Sequence, residues 1–280
     1  MTLSQEELIR RSKAGDAEAY EALVVNNKGL IWSVARRYFG RGVDADDLYQ
    51  LGCLGFLKAV EGFSLDHCSM DEKTRAAIWY AKNGKIQNSN LGGIKALREC
   101  SNVTIENSKI YSLEFGWKCD GVSLEDTQIH AEYLFLDSRN IRLDRVQMSG
   151  KYSFQYMENL QIRDSYLDTK DAFWHSKNVT VVSSTVKGEY LAWFSEGLTL
   201  IDCRIIGTQP LCYVKGLVLE DCTMEGCDLS FENSEVEATV IGSIDSVKNP
   251  VRGFIRADSI GEIIIDEFKR SGVCEIKTNT

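Results

Sequence analysis

The chain has 280 residues, 44% of them hydrophobic, and a formal net charge of −9, so it is long and apolar enough to bury one extended solenoid or two domains. The acidic balance excludes a general electrostatic attraction to nucleic acid or to an anionic membrane surface, and any such contact has to be local. The first residues lack a basic segment followed by an apolar one, and no run of about eighteen apolar residues occurs, so a cytoplasmic protein without membrane association is expected.

Residues 1–63 have helical character. Ser4-x-x-Glu7 predicts a capping box ahead of Leu8 and Ile9, and Gly15-Asp16 predicts a helix stop and restart. Ala19, Leu23, Leu30, Ile31 and Val34 continue an amphipathic pattern that Gly40-Arg-Gly42 breaks. Asp44 then opens a helix with Leu48, Leu51, Leu54, Leu57, Ala59 and Val60 on its apolar side.

Two stretches of this segment, Asn27-Lys-Gly-Leu-Ile-Trp-Ser-Val-Ala-Arg-Arg37 and Asp46-Asp-Leu-Tyr-Gln-Leu-Gly-Cys-Leu-Gly-Phe-Leu-Lys-Ala-Val-Glu-Gly-Phe63, resemble region 2 of sigma-70 family RNA polymerase sigma factors, particularly the sporulation type. The resemblance implies that residues 44–63 form the helix that docks on the clamp helices of the polymerase β′ subunit. Asp47 and Gln50 would be polar anchors, with Leu51, Cys53 and Leu57 beside them. The family continues with aromatic and basic residues that melt and read the −10 promoter element. Here the chain turns instead to Ser64-Leu-Asp-His-Cys-Ser-Met70, and residues 1–63 carry eight basic against nine acidic side chains. Promoter DNA is therefore not an expected partner. The region-2-like piece reads as truncated before the promoter-melting segment, with residues 64–74 as a junction.

From about residue 84 a period of nineteen takes over. Val103, Val122, Ile141, Leu160, Val179, Leu198 and Leu217 form one aliphatic column, and Ile105, Leu124, Leu143, Ile162, Val181, Leu200 and Leu219 form a second two places on. That spacing puts both side chains of each strand on the inner face. The residue before each strand is Asn102, Gly121, Asn140, Asn159, Asn178, Gly197 or Gly216, which predicts a corner with positive φ in every coil. A third apolar column, Ile110, Ile129, Met148, Leu167, Val186, Ile205 and Met224, begins a second strand. A small-residue column of Ser108, Thr127, Val146, Ser165, Ser184, Cys203 and Cys222 precedes it. One short unit stacked repeatedly predicts a right-handed, single-stranded parallel β-helix with coils of about nineteen residues.

Other columns carry the candidate chemistry. Trp79, Trp117, Trp174 and Trp193 share one with Leu136, Cys212 and Phe231. An inward aromatic stack is expected there, and a glycan-binding strip built from Trp117, Trp174 and Trp193 is the sharper alternative. Asp126, Asp164, Asp202 and Asp221 share a column with Asn107, Arg145 and Ser183, which points to a turn position rather than to acid/base pairs. His130 and His175 lie in different columns and His67 in the junction, so no metal constellation forms. The nine cysteines include no Cys-x-x-Cys pair, and reduced, mostly buried thiols are expected. Cys203 and Cys222 are neighbours on successive coils. No catalytic, cofactor-binding or metal-binding residue is assigned, and no cofactor is expected.

The stretches Arg75-Ala-Ala-Ile-Trp-Tyr-Ala-Lys-Asn83, Lys170-Asp-Ala-Phe-Trp174, Gly188-Glu-Tyr-Leu-Ala-Trp193, Ile244-Asp-Ser-Val-Lys-Asn-Pro250 and Ser259-Ile-Gly-Glu-Ile-Ile264 resemble a bacterial family, domain-of-unknown-function family 3737. The resemblance implies a β-helix over residues 75–268, followed by a C-terminal strand or tail over 269–280. Taken together, the chain reads as a non-enzymatic β-helix protein of unknown ligand with a sigma-like N-terminus. Two alternatives stand beside this reading: a protein that binds the RNA polymerase core, and a carbohydrate-binding or carbohydrate-active β-helix. The apolar face of residues 48–60 could cover the open end of the solenoid or remain free for polymerase, and these uses compete for one surface.

Overall fold

The computed structural model describes residues 3–75 and 77–279, and the side chains of 57–61 lie outside that description. The chain divides into two compact units, Met1–Ser64 and Leu65–Thr280. No helix among the described residues is long and apolar enough to cross a membrane.

The first unit holds helices α1 (Gln5–Lys13), α2 (Ala17–Asn26), α3 (Lys28–Ala35) and α4 (Ala45–Glu61). Side-chain caps set the starts of α1 and α2: Ser4 Oγ accepts from the Glu7 amide at 3.2 Å, and Asp16 Oδ1 accepts from the Ala19 amide at 3.0 Å. Only half of the predicted capping box forms, because Glu7 turns to Arg10, which donates to it at 2.9 and 2.6 Å. Leu8, Ala19 and Leu23 make the small core, with Ile9, Ala22 and Phe56 packed against it. The amphipathic run expected from Ala19 to Val34 is interrupted at Asn27, which leaves helical geometry at φ −110° and ψ 15° and donates its side-chain amide back to the Leu23 carbonyl at 2.8 Å. Helix α3 therefore restarts on its own axis. It buries Ile31 and Ala35, while Leu30 and Val34 stay 57% and 44% exposed.

The second unit is a parallel β-solenoid of about 11 turns. The register reproduces the period of nineteen, with Val103 beside Val122 and with Ile141, Leu160, Val179 and Leu198 in line. All three apolar columns are buried. Coils already stack upstream of residue 75, where the Met70 amide donates to Asn90 O at 2.8 Å and the Asn90 amide to Cys68 O at 2.9 Å. Towards the C-terminus the coils shorten, with Glu235 paired to Arg252 and Ser243 to Ser259, and Cys274–Thr278 adds a last strand against Gly253–Ala257.

The predicted corner is present in every coil of the alignment, from Asn102 at φ 54° to Gly216 at φ 64°. The asparagines also bond to one another. Asn159 Nδ2 donates to Asn140 Oδ1 at 3.0 Å, and Asn178 Nδ2 donates to Asn159 Oδ1 at 3.2 Å. Changing Asn159 to Ala should therefore lose stability by about 1–2 kcal/mol, since alanine bears the left-handed strain and breaks two links of the ladder. Asn159→Gly should lose less, because it keeps the backbone freedom. Denaturant midpoints of the two variants check this, and equal losses would refute the strain argument.

The small column has a bonding role. Ser165 Oγ donates to the Arg163 carbonyl at 2.6 Å and accepts from the Val146 amide at 3.0 Å, and Ser108 and Ser184 repeat the pattern. Cys203 and Cys222 stand in for serine, with thiols near the carbonyls of Ile201 and Leu200 at 3.2 and 3.4 Å. The Cys222 thiol lies beside Cys203 and has its pKa pushed up by that contact and by burial.

The tryptophan column departs from the expected inward stack. Trp79 is 45% exposed, and Trp117, Trp174 and Trp193 are half-buried. The interior is filled one position earlier by Phe135, Phe154 and Phe173, all buried and all at positive φ. Phe231 does not stay in the tryptophan column either. One extra residue enters that coil, so the Phe231 amide donates to Pro210 O where the Leu211 amide donates to Leu191 O, and Phe231 joins the core column with Leu211.

Candidate functional site

In the first unit, α4 carries the candidate docking residues. Asp44 Oδ1 accepts from the Asp46 amide at 2.9 Å at the start of the helix. Asp47, Gln50, Leu51 and Leu54 are spaced i, i+3, i+4 and i+7, which places them on one helical face, and all four are exposed, Leu51 at 58% and Leu54 at 57%. Cys53 is half-buried on another side, where its carbonyl accepts from Tyr20 Oη at 3.5 Å. Of the five expected anchors the structure thus groups Asp47, Gln50 and Leu51, sets Cys53 apart, and leaves the Leu57 side chain outside the described residues.

Beside this face an apolar groove of about 530 Å³ runs between α3 and α4 over Leu30, Val34, Tyr38, Leu51 and Phe56. It exists because the two helices approach closely at Gly52, where an added Cβ would sit 2.9 Å from Ile31 Cγ2. Trp32 stacks on Tyr49 at 4.7 Å and locks the pair from the other side. Sequence periodicity gave each helix an apolar side but could not show that the two sides meet in a groove, because it does not report how the helices pack.

On the solenoid, the indoles of the tryptophan column are fastened to the neighbouring coil. Trp117 Nε1 donates to Tyr133 O at 2.8 Å, Trp174 Nε1 to Tyr190 O at 2.6 Å and Trp193 Nε1 to Gln209 O at 2.9 Å. Trp174 and Trp193 lie face to face at 5.6 Å with 7° between planes, and Tyr156, His175, Phe194 and Tyr213 stack next to them. Rings stacked along the solenoid axis cover each other's faces and turn their edges to solvent, whereas a sugar packs on an open face.

The aspartate column is a turn. Asp126, Asp164, Asp202 and Asp221 all have φ between 48° and 52°. Arg145 clasps Asp126 at 2.8 and 3.1 Å, and this pairing holds the Asp126 carboxyl below the usual carboxylate range. His175 lies within the aromatic stack, and His130 Nδ1 meets Ser149 Oγ at 3.0 Å. Among the described residues, no three His, Cys, Asp or Glu side chains are grouped as metal ligands.

Fold and site together define a parallel β-solenoid joined in one chain to a helical unit similar to sigma region 2. The family described as protein of unknown function DUF3737 matches residues 57–277, and the chain belongs to it. Sigma-70 region 2 matches residues 23–69. Over 61 residues the chain is 46% identical to the RNA polymerase sigma-F factor of Bacillus subtilis, which is 22% of this chain and 24% of that protein. It is 45% identical over 53 residues to the sigma-G factor of the same organism, covering 19% of this chain and 20% of that one. It is also 46% identical over 59 residues to the sigma factor SigA of Listeria monocytogenes, covering 21% and 16%. The chain thus spans 24% or less of the length of these three relatives.

Proposed function

We propose that the N-terminal unit engages the core of RNA polymerase, and that the chain acts there as a tether or decoy carrying a DUF3737 solenoid. The single observation behind this reading is that the stretch similar to sigma region 2 leaves Asp47, Gln50 and Leu51 exposed together on α4. In this reading Asp47 and Gln50 make polar contacts to the β′ clamp helices and Leu51 packs beside them. Promoter reading forms no part of it, because a segment with eight basic and nine acidic side chains in a chain of net charge −9 has no surplus of cations to hold phosphates.

The test is retention of the intact chain on purified, immobilised core polymerase. Retention is expected, displaced by added sigma factor. Asp47→Ala combined with Gln50→Ala should weaken it by about tenfold or more, the equivalent of roughly 1.4 kcal/mol. Both side chains are exposed, so circular dichroism should be unchanged. No retention, or retention indifferent to the double change, overturns the proposal.

A further inference from the structure

Several outward side chains of the solenoid pair from coil to coil. Arg139 pairs with Asp120 at 2.9 Å, Lys187 with Asp168 at 2.8 Å and Lys151 with Glu132 at 3.2 Å, and the corner asparagines bond amide to amide. One outward column on the second strand of each coil makes no such contacts over three of its coils. Lys109, Gln128 and Gln147 stand in register on three successive coils, one strand spacing of about 4.8 Å apart. All three are exposed, and their side chains make no hydrogen bond within the described residues. They line an open groove of about 600 Å³.

The neighbouring column of the same groove supplies a fixed aromatic face. Tyr111, 61% exposed, stacks on His130 at 4.9 Å with 15° between planes, and His130 is anchored in turn to Ser149. Tyr111 is in register with Gly92 on the preceding coil, where the Met70 and Asp71 backbone fills the place of a side chain. Tyr111 is more exposed than the half-buried Trp117, Trp174 and Trp193, whose N–H groups are bonded to the next coil.

These features select a ligand. Primary amides both donate and accept, as hydroxyl groups do, and an exposed aromatic ring suits a ring with apolar C–H edges. The Asp168 carboxylate is neutralised by Lys187 and no arginine fork lines the groove, so a polyanion has one ammonium to meet in a chain of net charge −9. An extended peptide would need free backbone groups to add as a strand, and the strands here are already paired on both sides. We propose that this face binds a neutral oligosaccharide lying along the solenoid axis, with Gln128 and Gln147 bonding hydroxyls on successive sugars and Tyr111 stacking on one of them.

The experiment is calorimetric titration of the full chain with short neutral fragments of β-glucan, mannan, galactan and chitin, and with an acidic galacturonan fragment. At least one neutral fragment should bind, and Gln128→Ala with Gln147→Ala should weaken it about tenfold or more. Tyr111→Ala should weaken it independently, while Trp193→Phe should leave it unchanged. The three groove side chains are exposed, so unaltered melting of their variants certifies the fold. Binding of no neutral fragment, binding insensitive to the groove substitutions, or preference for the acidic fragment each overturns the proposal.

Discussion

Gly150→Ala is expected to destabilise the solenoid by on the order of 3 kcal/mol or more, far beyond the usual effect of adding one methyl group. Gly150 is in register between Ala131 on one coil and Thr169 on the next. Its φ is 153°, and a Cβ added there would run into the Ala131 carbonyl oxygen, which is backbone and cannot step aside. The two coils would have to separate, which weakens the bonds nearby, such as Tyr133 N to Lys151 O at 2.9 Å and Tyr152 N to Lys170 O at 2.7 Å. Gly226→Ala is the control. Gly226 also has a positive φ, 61°, but nothing lies within 4 Å of an added Cβ, so only the conformational strain of about 1–2 kcal/mol applies. Denaturant melts of both variants decide the matter, and equal losses would sink the collision argument. Because each coil touches only its neighbours, amide exchange in the Gly150 variant should quicken first between residues 131 and 170.

The contrast between these two glycines also separates what the sequence carries plainly from what it does not. The period of nineteen is legible because stacking coils place identical demands on each position: Val103, Val122 and Ile141 are apolar because each meets the same interior. The corner was readable for the same reason, since a left-handed φ admits asparagine and glycine and few others. Outward columns face no such shared demand. Lys109, Gln128 and Gln147 look like any solvent-facing run until register shows that they are neighbours without partners. The tryptophan column misled because hydrophobicity alone cannot tell a ring packed inside from one laid half-exposed with its N–H on the next turn. The groove between α3 and α4 was hidden by the break at Asn27, which rotates α3 relative to the pattern that preceded it.

The interior phenylalanines give the second large effect, and a test in which glycine is compared with alanine. Phe154 is fully buried, stacks on Phe173 at 5.3 Å with 11° between planes, and has φ 60°. Removing the ring in Phe154→Ala should cost about 3–5 kcal/mol through lost burial and the cavity left in a rigid stack. Alanine would still be held in the left-handed region, at about 1–2 kcal/mol. Phe154→Gly creates a slightly larger cavity, yet it releases that strain, which offsets the roughly 0.5–1 kcal/mol that glycine normally loses through its greater freedom in the unfolded chain. The glycine variant should therefore be no less stable than the alanine variant, the reverse of the ordinary order inside a regular strand. Gly116 occupies this column one coil before Phe135 and already has φ 76°, with the Phe135 ring lying where its own side chain would be. Paired urea melts of the two variants measure the difference. A glycine variant clearly weaker than the alanine one would mean that the positive φ at this corner is nearly free of strain, and that the aromatic stack alone holds the third side of each coil.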